Sequence, residues 1–272
     1  MLVAAFIISR WNEGWGAGLV QRDTVTKILL EIREYWPVLY FHSAAVANFA
    51  LRIAMDLGIE ARHCRDVLRG ALLHDAGKIH VRLEILTKPG PLTEAEWGQI
   101  KKHTDYGADW VEQRGGNDEV VAVIRYHHEW WNGNGYAGLK YEQIPLLARI
   151  VTIADALDAM TASRPYRKAI AVSEALMEIH SGKGLQFDPD ILTVLSQKAT
   201  YEPATYQDPR PLARQIQVEK EWLARLIKIY GDLAHPLVIA QSHWLDKLIV
   251  SIYKLQEGKR GKNLSLGEKE KL

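Results

Sequence analysis

The chain has 272 residues, long enough for one sizeable core plus a small appendage. With 47% hydrophobic and 25% charged residues and a formal charge of +1, it reads as globular and lacks the broad basic field that would draw DNA or a membrane surface. Cys64 is the only cysteine, which excludes internal disulfides and thiolate-rich zinc or iron–sulfur sites, so any metal must be held by nitrogen and oxygen.

The opening run MLVAAFII is apolar only until Ser9 and Arg10. That is short of the roughly 20 residues needed to span a bilayer, and no basic stretch precedes it, so the expectation is a cytoplasmic protein without a membrane span. Residues 1–34 form an N-terminal segment. From about Tyr35 to Lys198 apolar residues recur at steps of three and four, which predicts an all-α domain. The helices fall at Phe41–Leu57, Ala61–Leu73, Glu94–Gln113, Asn117–Tyr126, Ile144–Met160, Ser173–Ser181 and Pro189–Gln197. Lys88-Pro89-Gly90-Pro91 and the glycine-rich loop from Asn132 to Gly138 punctuate this pattern, and Thr93 to Glu96 offers a capping signal.

Three prolines in YEPATYQDPRP, Tyr201 to Pro211, mark a boundary. The domain is therefore bounded at 35–200 and a linker at 201–213. Trp222, Leu223, Leu226, Ile229, Tyr230 and Leu233, then Val238, Leu245, Leu248, Ile249, Ile252 and Leu255, repeat at helical spacing around Gly231 to Pro236. They predict an αα-hairpin over 214–257. The lysine-rich stretch 258–272 reads as a solvated, disordered tail.

Five of the ten histidines join two aspartates in an ordered series: His42, His74-Asp75, His103, His127-His128 and Asp155. His63, His80, His180, His235 and His243 stand alone and read as ordinary surface or core residues. His74-Asp75 closes the apolar run Leu68, Ala71, Leu72, Leu73, and Asp155 interrupts the apolar helix ARIVTIADALDAM. Burying such groups without a partner costs several kcal/mol, which a divalent metal bonded to them offsets. Imidazole and carboxylate without thiolate suit iron, manganese or zinc, and seven groups are too many for one ion that must also leave room for substrate. Two ions bridged by Asp75 account for the surplus, and such a pair stabilises the entering and leaving oxygens of a phosphoryl transfer together.

Five motifs in order carry a resemblance: LLHDAGKI, KPGPLTEAEWGQIKKHTDYGA, YHHEWWNGNGYAGL, IPLLARIVTIADALDAMTASRPYRKA and QFDP. Over roughly Tyr40 to Gln197 the chain is similar to the HD-GYP branch of the HD phosphohydrolases. The resemblance implies an HD-domain helical bundle with a non-haem centre of two divalent ions, iron with manganese as the alternative. It also implies hydrolysis of cyclic di-GMP to linear pGpG, with further cleavage to GMP left open. The family's metal ligands fall on His42, His74, Asp75, His103, His127, His128 and Asp155, with Asp75 and Lys78 in catalytic roles. Lys78 is read as neutralising a phosphate oxygen, against the alternative of a solvated surface cation.

Gly135 and Tyr136 sit in a substrate-facing loop where the family's GYP reads Gly135-Tyr136-Ala137, and alanine leaves the backbone freer than proline would. Arg164 and Arg167 are read as binding phosphate or guanine, against the alternative of a charged turn after a helix. Trp130 and Trp131 either stack on a base or close the core, and are read as packing. Val38 stands where some members carry an extra acidic ligand for a third metal, which favours a binuclear centre.

The hairpin resembles the small sporulation-associated aspartyl-phosphate phosphatases. Ser242, Leu245 and Asp246 match their SQELD signature, while His243 and Trp244 replace its Gln and Glu, so phosphatase chemistry is not expected. It is read as a docking module, for homodimerisation or for a response regulator or other signalling protein. A helical appendage packed on the main domain is the alternative. The rival readings of the whole chain are a cyclic dinucleotide receptor without turnover and a hydrolase of another nucleotide.

Overall fold

The computed structural model describes residues 24–162, 169–197, 210–231 and 235–267. Among these residues there is no named strand, only an isolated bridge between Lys183 and Phe187. The all-α expectation therefore holds.

The twelve α-helices among the described residues are α1 Thr24–Tyr35, α2 Pro37–Asp56, α3 Ala61–Leu73, α4 Leu83–Leu86, α5 Glu94–Lys101, α6 His103–Glu112, α7 Asp118–Tyr126, α8 Leu146–Thr161, α9 Val172–Ser181, α10 Pro189–Ser196, α11 Arg210–Tyr230 and α12 Pro236–Gly267. Single 3-10 turns occupy Ala76–His80 and Tyr141–Gln143. Helix α2 is central, packing against α1, α3, α8 and α12. It is long and apolar enough to cross a bilayer by length and composition, yet 61% of that window is buried inside the bundle, as expected of a core helix. It begins with Pro37 at its first position, where a missing N–H costs nothing.

Local chemistry sets the other boundaries. Thr93 and Glu96 form the anticipated reciprocal cap of α5. Asn117 accepts from the Val120 amide at 2.9 Å to start α7. Asp188 does the same for α10 at the Asp190 amide, 2.8 Å away, and its other oxygen pairs with Arg149 of α8 at 2.5 Å.

Four expectations need correction. The segment Glu94–Gln113 is two helices, broken at Lys102, so His103 begins α6 instead of lying mid-helix. Helix α1 falls in the segment given no structure; Val25, Ile28, Leu29 and Ile32, at helical spacing, are all buried and anchor it to the core. The linker ends early, because α11 already begins at Arg210 with Pro211 in its first turn. Helix α12 runs to Gly267, so the expected disorder beyond Gln256 fails for that stretch; its lysines, glutamate and glutamine are good helix formers.

The hairpin α11–α12 lies against the main bundle. Trp244 of α12 meets Phe49 of α2 edge-on, ring centroids 4.1 Å apart. Asn48 of α2 accepts from the Trp222 indole at 3.0 Å and donates to Gln241 at 2.6 Å, so one buried amide is bonded to both helices of the hairpin. This is the packed-appendage alternative. Trp244, one of the two replacements in the phosphatase-like signature, serves the packing.

Candidate metal centre

The seven candidate side chains converge from five helices. His42 comes from the interior of α2 and Asp155 from that of α8. His74 and Asp75 follow the last turn of α3, His103 opens α6, and His127 and His128 follow α7. Asp75 lies in the middle. Its Oδ2 is 3.3 Å from His74 Nε2 and 3.5 Å from His42 Nε2. Its Oδ1 is 3.1 Å from His103 Nε2 and 3.9 Å from His127 Nε2. Two potential donor sets result, Asp75 with His103, His127 and His128, and Asp75 with His42 and His74, each with its ligand atoms within 4.8 Å of one another. Asp75 belongs to both. Asp155 Oδ1 adds to the second set, 3.2 Å from His42 Nε2 and 4.0 Å from His74 Nε2.

The imidazoles are prepared for a cation. The Nδ1 atoms of His74, His103 and His127 lie 2.7, 2.6 and 2.8 Å from the carbonyls of Ala71, Ile100 and Ile124, each three residues earlier. A carbonyl can only accept, so Nδ1 carries the proton and Nε2 turns its lone pair to the centre, the tautomer a metal ligand needs. His74 Nε2 and Asp75 Oδ1 are buried and make no hydrogen bond. Orphaned polar atoms of this kind are costly, and a divalent ion held by each donor set would satisfy them, so the residues fit a nitrogen–oxygen metal site.

Charge is arranged to match. Burial alone would raise the Asp75 carboxyl, but Lys78, His74, His103 and His42 outweigh it and hold it well below the usual range. Burial would likewise raise Asp155, yet His42, His74 and His128 lower it. Burial and the neighbouring imidazoles keep His127 well below its ordinary value, and burial takes His128 down to about 3 despite the carboxylates. His42 runs the other way. Burial opposes its proton, but Asp155, Asp158 and Asp75 together raise it well above the ordinary histidine value.

The remaining expected residues divide. Lys78, on the 3-10 turn, sits 2.5 Å from Asp75 Oδ2 with a partly exposed side chain, and is no free surface cation. His42, Lys78 and Asp155 line a cavity of about 250 Å³ together with His128, Trp130, Ala156, Ala159 and Gln186. Tyr136 packs its ring on His128, centroids 4.7 Å apart, under the ammonium of Lys101 at 5.3 Å. Gly135 is close to its own chain: a Cβ there would meet Glu129 Cα at 2.5 Å and Trp130 N at 2.7 Å. Its lack of a side chain therefore serves the loop's folding. Arg164 and Arg167 lie outside the described residues. The tryptophans differ. Trp131 is buried beneath Tyr141 and Arg149, as the packing reading expects, whereas Trp130 is 38% exposed on the cavity rim.

Sequence reasoning missed three contributors. Glu129 is 2% exposed and accepts from the amides of Ala137 at 2.6 Å and Leu139 at 2.7 Å, so its carboxylate folds the glycine-rich loop. The freer backbone expected at Ala137 is thus a bonded one. Gln186 lines the cavity, and its carbonyl accepts from Trp131 N at 3.1 Å, tying that loop to the segment before α10. Asp158, one turn past Asp155, accepts from His42 Nδ1 at 2.8 Å.

An all-α bundle whose helix ends deliver a histidine–aspartate cluster around one shared carboxylate defines a metal-site helical protein of the histidine–aspartate type. The family comparison agrees: the model of the HD domain matches residues 28–191, and the chain belongs to that family. A second family, Spo0E like sporulation regulatory protein, matches residues 212–254, the hairpin. The chain is 39% identical over 154 residues to the cyclic di-GMP phosphodiesterase PA4108 of Pseudomonas aeruginosa, covering 56% of this chain and 37% of that one. It is 35% identical over 166 residues to 3'3'-cGAMP-specific phosphodiesterase 3 of Vibrio cholerae, covering 61% and 36%. The chain thus spans well under half the length of these relatives. Its fold is shared with Bd1817, an HDG"Y"P protein from Bdellovibrio bacteriovorus, at TM-score 0.50 and 24% identity over 58% of this chain and 51% of that one.

Proposed function

We propose that the chain is a metal-dependent phosphodiesterase that hydrolyses cyclic di-GMP to pGpG. The observation that carries this reading is the sharing of Asp75 by two donor sets whose buried histidines present Nε2 to a common centre. His42, His74, Asp75, His103, His127, His128 and Asp155 would hold two divalent ions, iron in our assignment with manganese as the alternative. When bound, the ions supply Lewis acidity at phosphorus and charge stabilisation at its oxygens.

The protein's own groups do the rest. Asp75 fixes the spacing of the two halves. Lys78, beside it on the cavity wall, brings an ammonium to the phosphate oxygens where charge develops. Trp130 and Tyr136 offer aromatic surfaces near the mouth for guanine, with Gly135 shaping the turn. Arg164 and Arg167 are assigned to the outer phosphate or guanine edge on their chemistry alone. His127 and Thr152, both buried, form part of the cavity lining with His128. Val38, four residues before His42, has no donor atom, which favours two ions over three.

The catalytic unit is taken as 35–200, with α1 packed onto it, and the hairpin as the element formed by α11 and α12, Arg210–Tyr230 and Pro236–Gly267. A cytoplasmic setting suits a nucleotide substrate. For a homodimer or a response-regulator contact, the hairpin would use its outward face, where His243, Asp246 and Tyr253 are exposed.

The test is anaerobic purification, metal analysis, and product identification with cyclic di-GMP and 3'3'-cGAMP side by side. Linear pGpG from the metal-loaded protein supports the proposal. Tight nucleotide binding without turnover would make it a receptor instead. Preference for 3'3'-cGAMP, the specificity named for the Vibrio cholerae relative at 35% identity, would move the assignment to another cyclic dinucleotide.

A further inference from the structure

We infer that Lys247, on the appended hairpin, is a positioning residue for the metal centre, acting through Asp158 on His42. The inference rests on the metal centre proposed above.

His74, His103 and His127 take their orientation from carbonyls in their own preceding turns. These clamps form with the helices themselves. His42 differs, because its Nδ1 is held by a carboxylate from another helix: Asp158 Oδ2 of α8, at 2.8 Å. The other oxygen of that carboxylate, Oδ1, accepts from Lys247 Nζ of α12 at 3.2 Å, and the same ammonium lies 3.4 Å from Thr161 Oγ1. The orientation of His42 is therefore secured by a chain of three helices whose last link lies in the hairpin.

Electrostatics give the link its weight. Three carboxylates, Asp75, Asp155 and Asp158, all lie within 3.5 Å of the His42 ring nitrogens. Lys78 compensates Asp75 and Lys247 compensates Asp158. Without Lys247, the buried Asp158 would keep, among the described residues, only His42 as a charged partner and would be free to turn towards the open side. Hydrogen-bond partners behind a metal-ligating histidine typically change metal affinity by about 10- to 100-fold.

Room for such a turn exists. A crevice of about 200 Å³ runs between α2, α8 and α12, lined by Phe41, His42, Asp158, Trp244 and Lys247 among others. The hairpin itself is fastened elsewhere, by Trp244 on Phe49 and by Asn48 between Trp222 and Gln241. Loss of the Lys247 ammonium therefore removes the link to the centre while leaving the hairpin attached.

The experiment measures Mn²⁺ binding to the full chain by titration calorimetry, with electron paramagnetic resonance to detect the coupled pair. Wild type, Lys247→Met and Lys247→Arg are compared, and protease resistance of the hairpin checks its attachment. The expected result is two sites in wild type, one of them weakened about tenfold in Lys247→Met with the other unchanged. Lys247→Arg, which keeps the charge and a donor, restores the weakened site and the coupled signal. Equal weakening of both sites, no weakening, or no rescue by arginine overturns the inference. If Lys247→Met releases the hairpin, Lys247→Gln, which keeps a donor without charge, carries the same comparison. Cyclic di-GMP hydrolysis is followed in the same samples to keep the two readings apart. A wild type that binds two Mn²⁺ without cleaving overturns the proposed reaction and leaves the Lys247 result standing, whereas normal cleavage with unchanged Mn²⁺ binding in Lys247→Met overturns the inference alone.

Discussion

Replacing Ala137 with proline would recreate the GYP tripeptide, yet the structure predicts that it destabilises this chain. The Ala137 amide donates to Glu129 Oε1 at 2.6 Å, and that carboxylate is only 2% exposed. Proline has no N–H, so Ala137→Pro removes a hydrogen bond to a buried charge, an interaction worth about 1.5–3 kcal/mol net. Leu139 still donates to Oε2 at 2.7 Å, so the carboxylate is not left unpaired and the lower half of that range applies. Proline also restricts the unfolded chain, which returns about 0.4–1 kcal/mol. The balance is a loss of about 1 kcal/mol, enough to lower a urea midpoint measurably. The assay compares wild type, Ala137→Pro, Glu129→Gln and the double variant by urea denaturation. A charge-dependent bond requires the proline penalty to shrink in the Glu129→Gln background. An Ala137→Pro protein as stable as wild type, or a penalty unchanged by Glu129→Gln, would refute the reasoning.

Asp75→Ala removes the carboxylate common to both donor sets, so bound metal should fall and hydrolysis of cyclic di-GMP should vanish; full activity with unchanged metal content, read by emission spectroscopy, contradicts a shared-ligand centre. Lys78→Ala takes away a cation that is not itself a metal ligand, so metal should remain while kcat drops on the order of a hundredfold, about 3 kcal/mol of charge stabilisation. A raised KM with unchanged kcat would assign Lys78 to ground-state binding. For pH, His42 is the group to watch: its pKa in the metal-free protein is raised, so below that pKa a proton occupies the ligand, whereas His127 and His128, held low, are already neutral. Metal affinity at the His42 set should therefore rise with pH, by about tenfold per unit while His42 is still protonated, and a flat profile by calorimetry would exclude proton competition there.

How much of this could be read beforehand follows from where each signal resides. The helical faces are local, so periodicity located α2, α3, α7, α8, α9 and α10 to within a few residues. His74, Asp75 and Asp155 were legible because each ends or interrupts an apolar helix, an anomaly visible without coordinates, whereas His42, His103, His127 and His128 were marked by the ordered series of motifs in which they fall. The break at Lys102 was not legible, since the residues around it are ordinary helix formers. It accompanies a close approach in which a Cβ on Gly77 would come within 2.0 Å of the His103 carbonyl. Asp158 lies on the same apolar helix as Asp155, and composition cannot tell a ligand from the carboxylate that orients one. Lys247 was out of reach for a different reason: its contact with Asp158 spans 89 positions, and in its own helix it is one more lysine.

The two donor sets around Asp75 consequently differ in how they are held. His103 and His127 are fixed by carbonyls of α5 and α7, and Gly77 and Gly107 let the turn after α3 lie directly against α6. That half is built from adjoining segments with little freedom to shift separately. The other half combines His74, clamped within α3, with His42, whose α2 is gripped by α12 at Asn48 and whose ring is held through Asp158 and Lys247. On the inference drawn for Lys247, a disturbance of the hairpin reaches the centre through the His42 ring. The hairpin matched by the Spo0E like sporulation regulatory protein model is in this way linked to a centre to which it contributes none of the candidate ligands, and Trp244, with Trp222 and Gln241, packs it there.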